Sequence, residues 1–206
     1  MLFFIIKGGV MMIPIILASI VGAGIIVERF IVIRRVYRLD MQKFSGEILG
    51  LVDKGKYREA LEACSQKKEY PLAAMYAAAI ENRLLSRPEL EKLLERMGNH
   101  AVKTLERRLG GLVSVVGISP LMGFLGTITG LIRAFMAWEK AGNDVTVSAL
   151  AGGIYEAMIT TAAGLIVAIP YYLCYNYFIS RIKYFSHELD DYSSQLLELL
   201  TRGRVL

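Results

Sequence analysis

The chain has 206 residues, 54% of them hydrophobic and 21% charged, with a formal net charge of +5 and a mean hydropathy of +0.44. That is too apolar for an ordinary water-soluble domain of this length, so the excess must be concentrated in segments that leave water. The two cysteines, Cys64 and Cys174, stand far apart with no CxxC or metal-ligand spacing, which points to no disulfide framework and no metal centre.

Three stretches hold the excess. Gly8 to Val27 is 20 residues without a charge, Gly110 to Ile132 is 23, and Ala149 to Ile179 is 31 with Glu156 as its only acidic or basic residue. At 1.5 Å per residue each can cross a hydrocarbon core of about 30 Å. The first run is too long for a signal peptide, and Lys7 follows an apolar N-terminal start rather than preceding it, so the run reads as a retained first span within 1–33.

Segment 34–108 reads as a helical cytoplasmic domain. "EILGLVDKGKYREALEACSQ" carries apolar residues at helical spacing on both sides of "DKGK", which predicts a short helical hairpin. Pro71 opens an alanine-rich helix. In "SRPELEKLLERM", Ser86 as N-cap with Glu89 three residues on predicts a capping box. No stop follows, so one helix is expected from Arg87 through Trp138, kinked at Pro120. It contains the second span, 109–138, and 139–147 is a short outer loop. The third span, 148–180, runs on into a C-terminal helix, 181–206, because Ile182, Phe185, Leu189, Tyr192, Leu196 and Leu199 keep helical spacing. The expected fold class is therefore an all-α membrane protein with three transmembrane helices, two of them extending into the cytoplasm.

Orientation follows from charge. Residues 34–108 hold 16 Lys and Arg against 11 Asp and Glu, and Arg34, Arg35, Arg38, Lys103, Arg107, Arg108, Arg181 and Lys183 flank the spans on one side. The positive-inside rule places that side in the cytoplasm, with the N-terminus outside and the C-terminus inside. Because these charges bracket spans and mix with acids, they do not make a nucleic-acid surface.

A carboxylate inside a span costs about 2.5 kcal/mol or more on insertion scales, so it should face a partner, a cavity or an ion path. Glu156 shares a helical face with Gly153, Thr160, Ala163, Gly164 and Val167, with Thr161 beside it. The second span offers Gly123, Gly126, Thr127 and Gly130, of which Gly126 and Gly130 have small-xxx-small spacing. Counted from the shared outer loop, Thr127, Thr160 and Thr161 fall near one level. Two readings stay open. Either Glu156 and the three hydroxyls line a path, or Glu156 is the structural ion-pair partner of Arg133, the glycines serve close packing, and the hydroxyls bond their own helix. Glu28 and Arg29 read as interface or pairing residues, and His100 and His187 as ordinary helix histidines. No nucleophile-base pair, phosphate loop or cofactor motif is present, so the chain is not expected to be an enzyme.

"GLVSVVGISPLMGFLGTITGLIRAF" followed by "GGIYEAMITTAAGLIVAIPYYLCYN" resembles the ExbB/TolQ/MotA proton-channel family, most closely its ExbB/TolQ branch; MotA-like stators have four spans and a larger cytoplasmic domain. The resemblance implies a bacterial inner-membrane motor driven by the proton motive force. In such motors several copies, typically five, enclose the spans of a small ExbD- or TolR-like partner that carries a membrane aspartate, and the work goes to a TonB- or TolA-like envelope-spanning protein. It also implies that Thr127, Glu156 and Thr161 occupy the family's polar pore-lining positions, with Thr160 an additional hydroxyl. A purely structural scaffold and a motility stator are the alternatives.

Overall fold

The computed structural model describes residues 7–141 and 147–202. Its elements are α1 Met12–Val36, α2 Met41–Asp53, α3 Tyr57–Ser65, α4 Pro71–Glu81, α5 Arg87–Glu106, α6 Leu109–Ala141 and α7 Val147–Thr201, and no strand occurs among the described residues. The all-helical expectation therefore holds. Three of these helices, α1, α6 and α7, are long and apolar enough to cross a membrane. Of the expected outer loop, residues 142–146 lie outside the described residues.

The chain divides into two compact units. The first is Met1–Glu28 with Arg108–Tyr177, and the second is Arg29–Arg107 with Phe178–Leu206. Because α7 is one helix of 55 residues, it supplies side chains to both units.

Small residues on facing helices build the first unit. On α6 the buried positions are Leu109, Leu112, Val115, Ser119, Gly123, Gly126, Gly130 and Ala134, and on α7 within this unit they are Ala157, Thr160, Gly164 and Ala168. Residues spaced three and four apart share one face of a helix, so each set is a single stripe. The N-terminal part of α1 lies against both helices. Gly22 leaves room for the Tyr171 ring and for Val115, and Gly111 does the same for Ile25. The Tyr171 hydroxyl donates to the Ser19 carbonyl at 2.6 Å and stands 3.0 Å from the Ser19 hydroxyl.

Aromatic and aliphatic packing builds the second unit. Phe44, Ile48, Leu72, Tyr76, Ile80 and Leu90 are buried, as are Phe178, Ile182, Phe185 and Leu189 of α7. Buried hydroxyls there are paired, as they must be away from water: Tyr76 Oη lies 2.7 Å from Ser45 Oγ and donates to the Tyr192 carbonyl at 2.9 Å. Burial pushes the Tyr76 phenol and the Cys64 thiol up to about 12. The hairpin expected at "DKGK" is present, turned at Gly55 with φ +71°. At the start of α5 the Glu89 carboxylate accepts from the Ser86 amide at 2.9 Å and the Ser86 hydroxyl at 2.6 Å, and these bonds hold its pKa below the usual carboxylate value.

One expectation is overturned. The helix does not run unbroken from Arg87 to Trp138. It breaks at Arg107, with ψ 135°, and Arg108, with φ 69°, and it continues through Pro120. Residues from α1 account for the break. In the second unit the Arg29 guanidinium, only 4% exposed, donates to the carbonyls of Thr104 and Leu105 at 3.3 and 3.2 Å. These carbonyls would otherwise need the next helical turn. In the first unit Glu28 takes the Arg108 guanidinium at 2.6 Å. Pro120 only withholds an N–H from the Val116 carbonyl, which a membrane helix tolerates.

Candidate functional site

The site is built where α6 and α7 meet in the first unit. Both helices reduce to glycine, alanine and hydroxyl residues there, so their backbones touch. A Cβ added at Gly130 would stand 2.8 Å from the Gly153 carbonyl and 3.0 Å from the Ala157 amide nitrogen. At Gly153 it would meet Ala134 Cβ and the Gly130 carbonyl, both at 2.7 Å; at Gly123 it would meet the Thr160 carbonyl at 2.9 Å. Cβ additions at Gly126 and Gly164 would overlap the Thr160 hydroxyl and the Ser119 carbonyl respectively. All five glycines expected to serve packing therefore lie in one seam.

The three threonines separate into three settings. Thr160 is fully buried, and its hydroxyl donates back to its own helix, 3.0 Å from the Glu156 carbonyl and 2.9 Å from that of Ala157. Thr161, one residue on, reaches across instead and donates to the Gly123 carbonyl of α6 at 3.1 Å, with Ala157 O at 3.3 Å. Thr127 turns its hydroxyl to the Phe124 carbonyl of its own helix. Thr160 and Thr161 are thus brought onto the seam, and Thr127 lies at its margin, half-buried.

Glu156 is paired. Arg133 Nη1 lies 2.7 Å from Oε1 and 3.0 Å from Oε2, and the Glu156 side chain is 15% exposed against 49% for Arg133. One guanidinium nitrogen thus serves both carboxylate oxygens, a charge-assisted contact although not the two-nitrogen fork. The pair ties α6 to α7 at the level of Gly130 and Gly153, nearer than the threonines to the α6–α7 connection. One neighbour of Glu156 is absent from the residues that the sequence singles out. Gly9, with φ +66°, lies so close that a Cβ there would overlap Glu156 Oε1. Its only signal is the Gly8-Gly9 dipeptide just ahead of α1.

The seam has no room for water, since its backbones are already closer than an added methyl allows. What remains accessible lies at its margins, Glu156 with Arg133 on one side and Thr127, six residues earlier on α6, apart from them. Among the described residues no group of three or more His, Cys, Asp and Glu is placed to hold a metal ion. The groove between α5 and α7 in the second unit, about 450 Å³ and lined in part by Glu91, Glu95, His187 and Asp190, holds no such group either.

These features define a class: an all-helical membrane protein in which two candidate spans meet on small residues beside a single ion-paired carboxylate. Residues 67–191 match the MotA/TolQ/ExbB proton channel family, and the chain belongs to it. It is 31% identical over 205 residues to the biopolymer transport protein ExbB of Salmonella typhimurium, covering 93% of this chain and 80% of that one. It is 35% identical over 104 residues to the Tol-Pal system protein TolQ of Haemophilus influenzae, covering 50% of this chain and 45% of that one. To a putative ExbB homologue from Methanothermobacter thermautotrophicus it is 30% identical over 176 residues, 85% of this chain and 62% of the relative. The chain thus spans less than two thirds of the length of the last two.

Proposed function

We propose that the chain is the channel-forming scaffold of a proton-driven motor in a bacterial inner membrane. In this reading 1–33, 109–138 and 148–180 carry the three spans, 34–108 and 181–206 are cytoplasmic, and 139–147 faces outward. About five copies surround an ExbD- or TolR-like single-span partner whose membrane aspartate completes the proton path, and the work passes to a TonB- or TolA-like protein. Thr127, Glu156 and Thr161 line the path, whereas Thr160, being sealed in the seam, serves packing.

The observation that carries this reading is the ion-paired Glu156 at the edge of a water-tight seam. One carboxylate in a 31-residue apolar run cannot relay a proton across the bilayer by itself. The seam cannot conduct, so the path must run along its outer edge, where a second chain can supply the missing acid. Moving one charge through the membrane potential releases about 2.3 kcal/mol per 100 mV, enough over a few protons to drive a modest conformational cycle.

The test is co-expression with the partner. Glu156→Gln and Thr161→Val are expected to assemble normally and to lose proton-driven work, and unchanged work in both removes the reading. Separate proton and sodium gradients identify the ion. A second reading, a scaffold without a path of its own, is favoured by the short Arg133–Glu156 contact. It predicts that the swap Arg133→Glu with Glu156→Arg restores both assembly and work, whereas a path role predicts an assembled but inactive swap.

A further inference from the structure

We propose that the Gly8-Gly9 turn is a positioning element for Glu156, holding its carboxylate in the Arg133-paired orientation from the N-terminal side of α1. The inference rests on the path reading of Glu156 and adds to it a residue that neither span two nor span three contains.

Two independent features converge on Gly9. Its φ of +66° is a conformation that residues with a Cβ adopt only with strain. The place where that Cβ would stand is occupied by Glu156 Oε1. This is the same oxygen that receives the shorter of the two Arg133 contacts, at 2.7 Å. The carboxylate is therefore confined between a guanidinium on α6 and a bare backbone ahead of α1, which fits its 15% side-chain exposure beside an arginine that is half exposed. A methyl at Gly9 would not meet rigid backbone. It would meet the far end of a flexible side chain, so Glu156 would yield by swinging away from Arg133. Gly8 behaves differently: a Cβ there would meet the Met12 side chain and, at 3.2 Å, Ile159 Cγ2, with Glu156 absent from its nearest atoms. One turn thus contains a position that addresses the carboxylate and an adjacent position that does not.

The experiment uses the full chain in its native membrane and a hydrophobic carbodiimide, dicyclohexylcarbodiimide, as the probe, with modification of Glu156 followed by mass spectrometry. Gly9→Ala is expected to raise the modification rate about threefold, the scale on which losing a partly exposed ion pair shifts a population. Arg133→Ala should do the same, and Gly8→Ala should leave the rate at the wild-type value. An unchanged rate in Gly9→Ala overturns the proposal, as does an equal rise in Gly8→Ala, which would mean only that the turn had been disturbed. If Gly9→Ala fails to assemble, Gly9→Ala with Glu156→Asp must recover assembly, because the shorter side chain withdraws the carboxylate from the new methyl; failure to recover also overturns it. Modification is read without transport, so Glu156→Gln retaining proton-driven work would refute the path reading while leaving the positioning result standing.

Discussion

Gly152 and Gly153 are neighbours in sequence, yet a methyl added to each should have opposite consequences. At Gly152 a Cβ meets nothing within 4 Å, whereas at Gly153 it would stand 2.7 Å from Ala134 Cβ and from the Gly130 carbonyl. An ordinary contact begins near 3.4 Å, so the Gly153→Ala seam must open by about 0.7 Å, a gap that forfeits a quarter to a half of each contact's dispersion well. The neighbouring atoms are backbone and a Cβ, which no rotamer change can move aside. Overpacking of this kind costs about 1–3 kcal/mol. Replacing glycine by alanine inside a helix returns up to about 1 kcal/mol, and it does so in both variants. The difference between Gly152→Ala and Gly153→Ala is therefore expected to be about 2 kcal/mol in favour of Gly152→Ala, or roughly thirtyfold in the unfolding equilibrium. Unfolding titrations in mixed micelles, followed by circular dichroism, measure it directly. Equal stability, or a Gly153→Ala protein that outlasts Gly152→Ala, would show that α6 and α7 do not meet through these backbones.

Three further outcomes follow from the second unit. Cys64 has a thiol pushed from 9.0 to about 12 by burial, so the folded state keeps its proton where the unfolded state has lost it; its contribution to stability is complete below pH 9 and falls as pH rises toward 12. About 1 kcal/mol should be gone by pH 10, and Cys64→Ala should flatten the pH dependence of the unfolding midpoint over that range; an unaltered slope would refute the assignment. Arg29→Met keeps the stem but removes the donors to Thr104 and Leu105, and should cost about 1–3 kcal/mol of unfolding free energy, with exchange of the amides around Arg107 and Arg108 accelerated. Gly55→Ala meets no neighbour but must adopt φ +71°, so it should cost about 1 kcal/mol through backbone strain alone, measured by the same titration.

Local chemistry makes much of this fold legible in the order of the residues. Long charge-free runs can only be buried or in lipid, a Gly at "DKGK" can only be a turn, and a Ser86–Glu89 pair ahead of an apolar periodicity can only be a helix start. The break at Arg107–Arg108 is not legible, because nothing local requires it. Neither residue of the break is a glycine or proline, although Gly110 and Gly111 follow two residues on, and the groups that account for it, Glu28 and Arg29, lie some 80 residues earlier. For the same reason a helical wheel places Thr160 and Thr161 on one polar surface. Which of two adjacent hydroxyls is sealed and which reaches across depends on the register against Gly123 and Gly126, a property of the pair of helices and of neither alone. The Arg133–Glu156 pair is legible as one of two alternatives, since an arginine one turn outward of a membrane carboxylate is its natural counter-ion. Gly9 is not, because a glycine's role depends on what fills the space its side chain would have taken.

The same packing limits where ions could move. In the seam Gly123, Gly130, Gly153 and Gly164 already stand against backbone of the facing helix and Gly126 against the Thr160 side chain, and the hydroxyl of Thr160 donates to its own turn. Water would have to displace contacts with no slack in them. At the margins of the seam the situation reverses: Arg133 and Thr127 keep exposure, and Leu121, Phe124 and Ile128 of α6 are exposed on this chain. The single chain thus closes its polar residues on one side against itself and offers them on the other to whatever lies beside it. On the path proposed above, conduction would fall to a surface that one copy cannot enclose. A variant that widens the seam without touching that edge should therefore lower stability well before it alters conduction. Gly164→Ala, whose methyl would overlap the Ser119 carbonyl two turns away from the Arg133–Glu156 pair, separates the two: unfolding titration should register the loss while proton flux with the partner is retained, and a parallel loss of both would refute it.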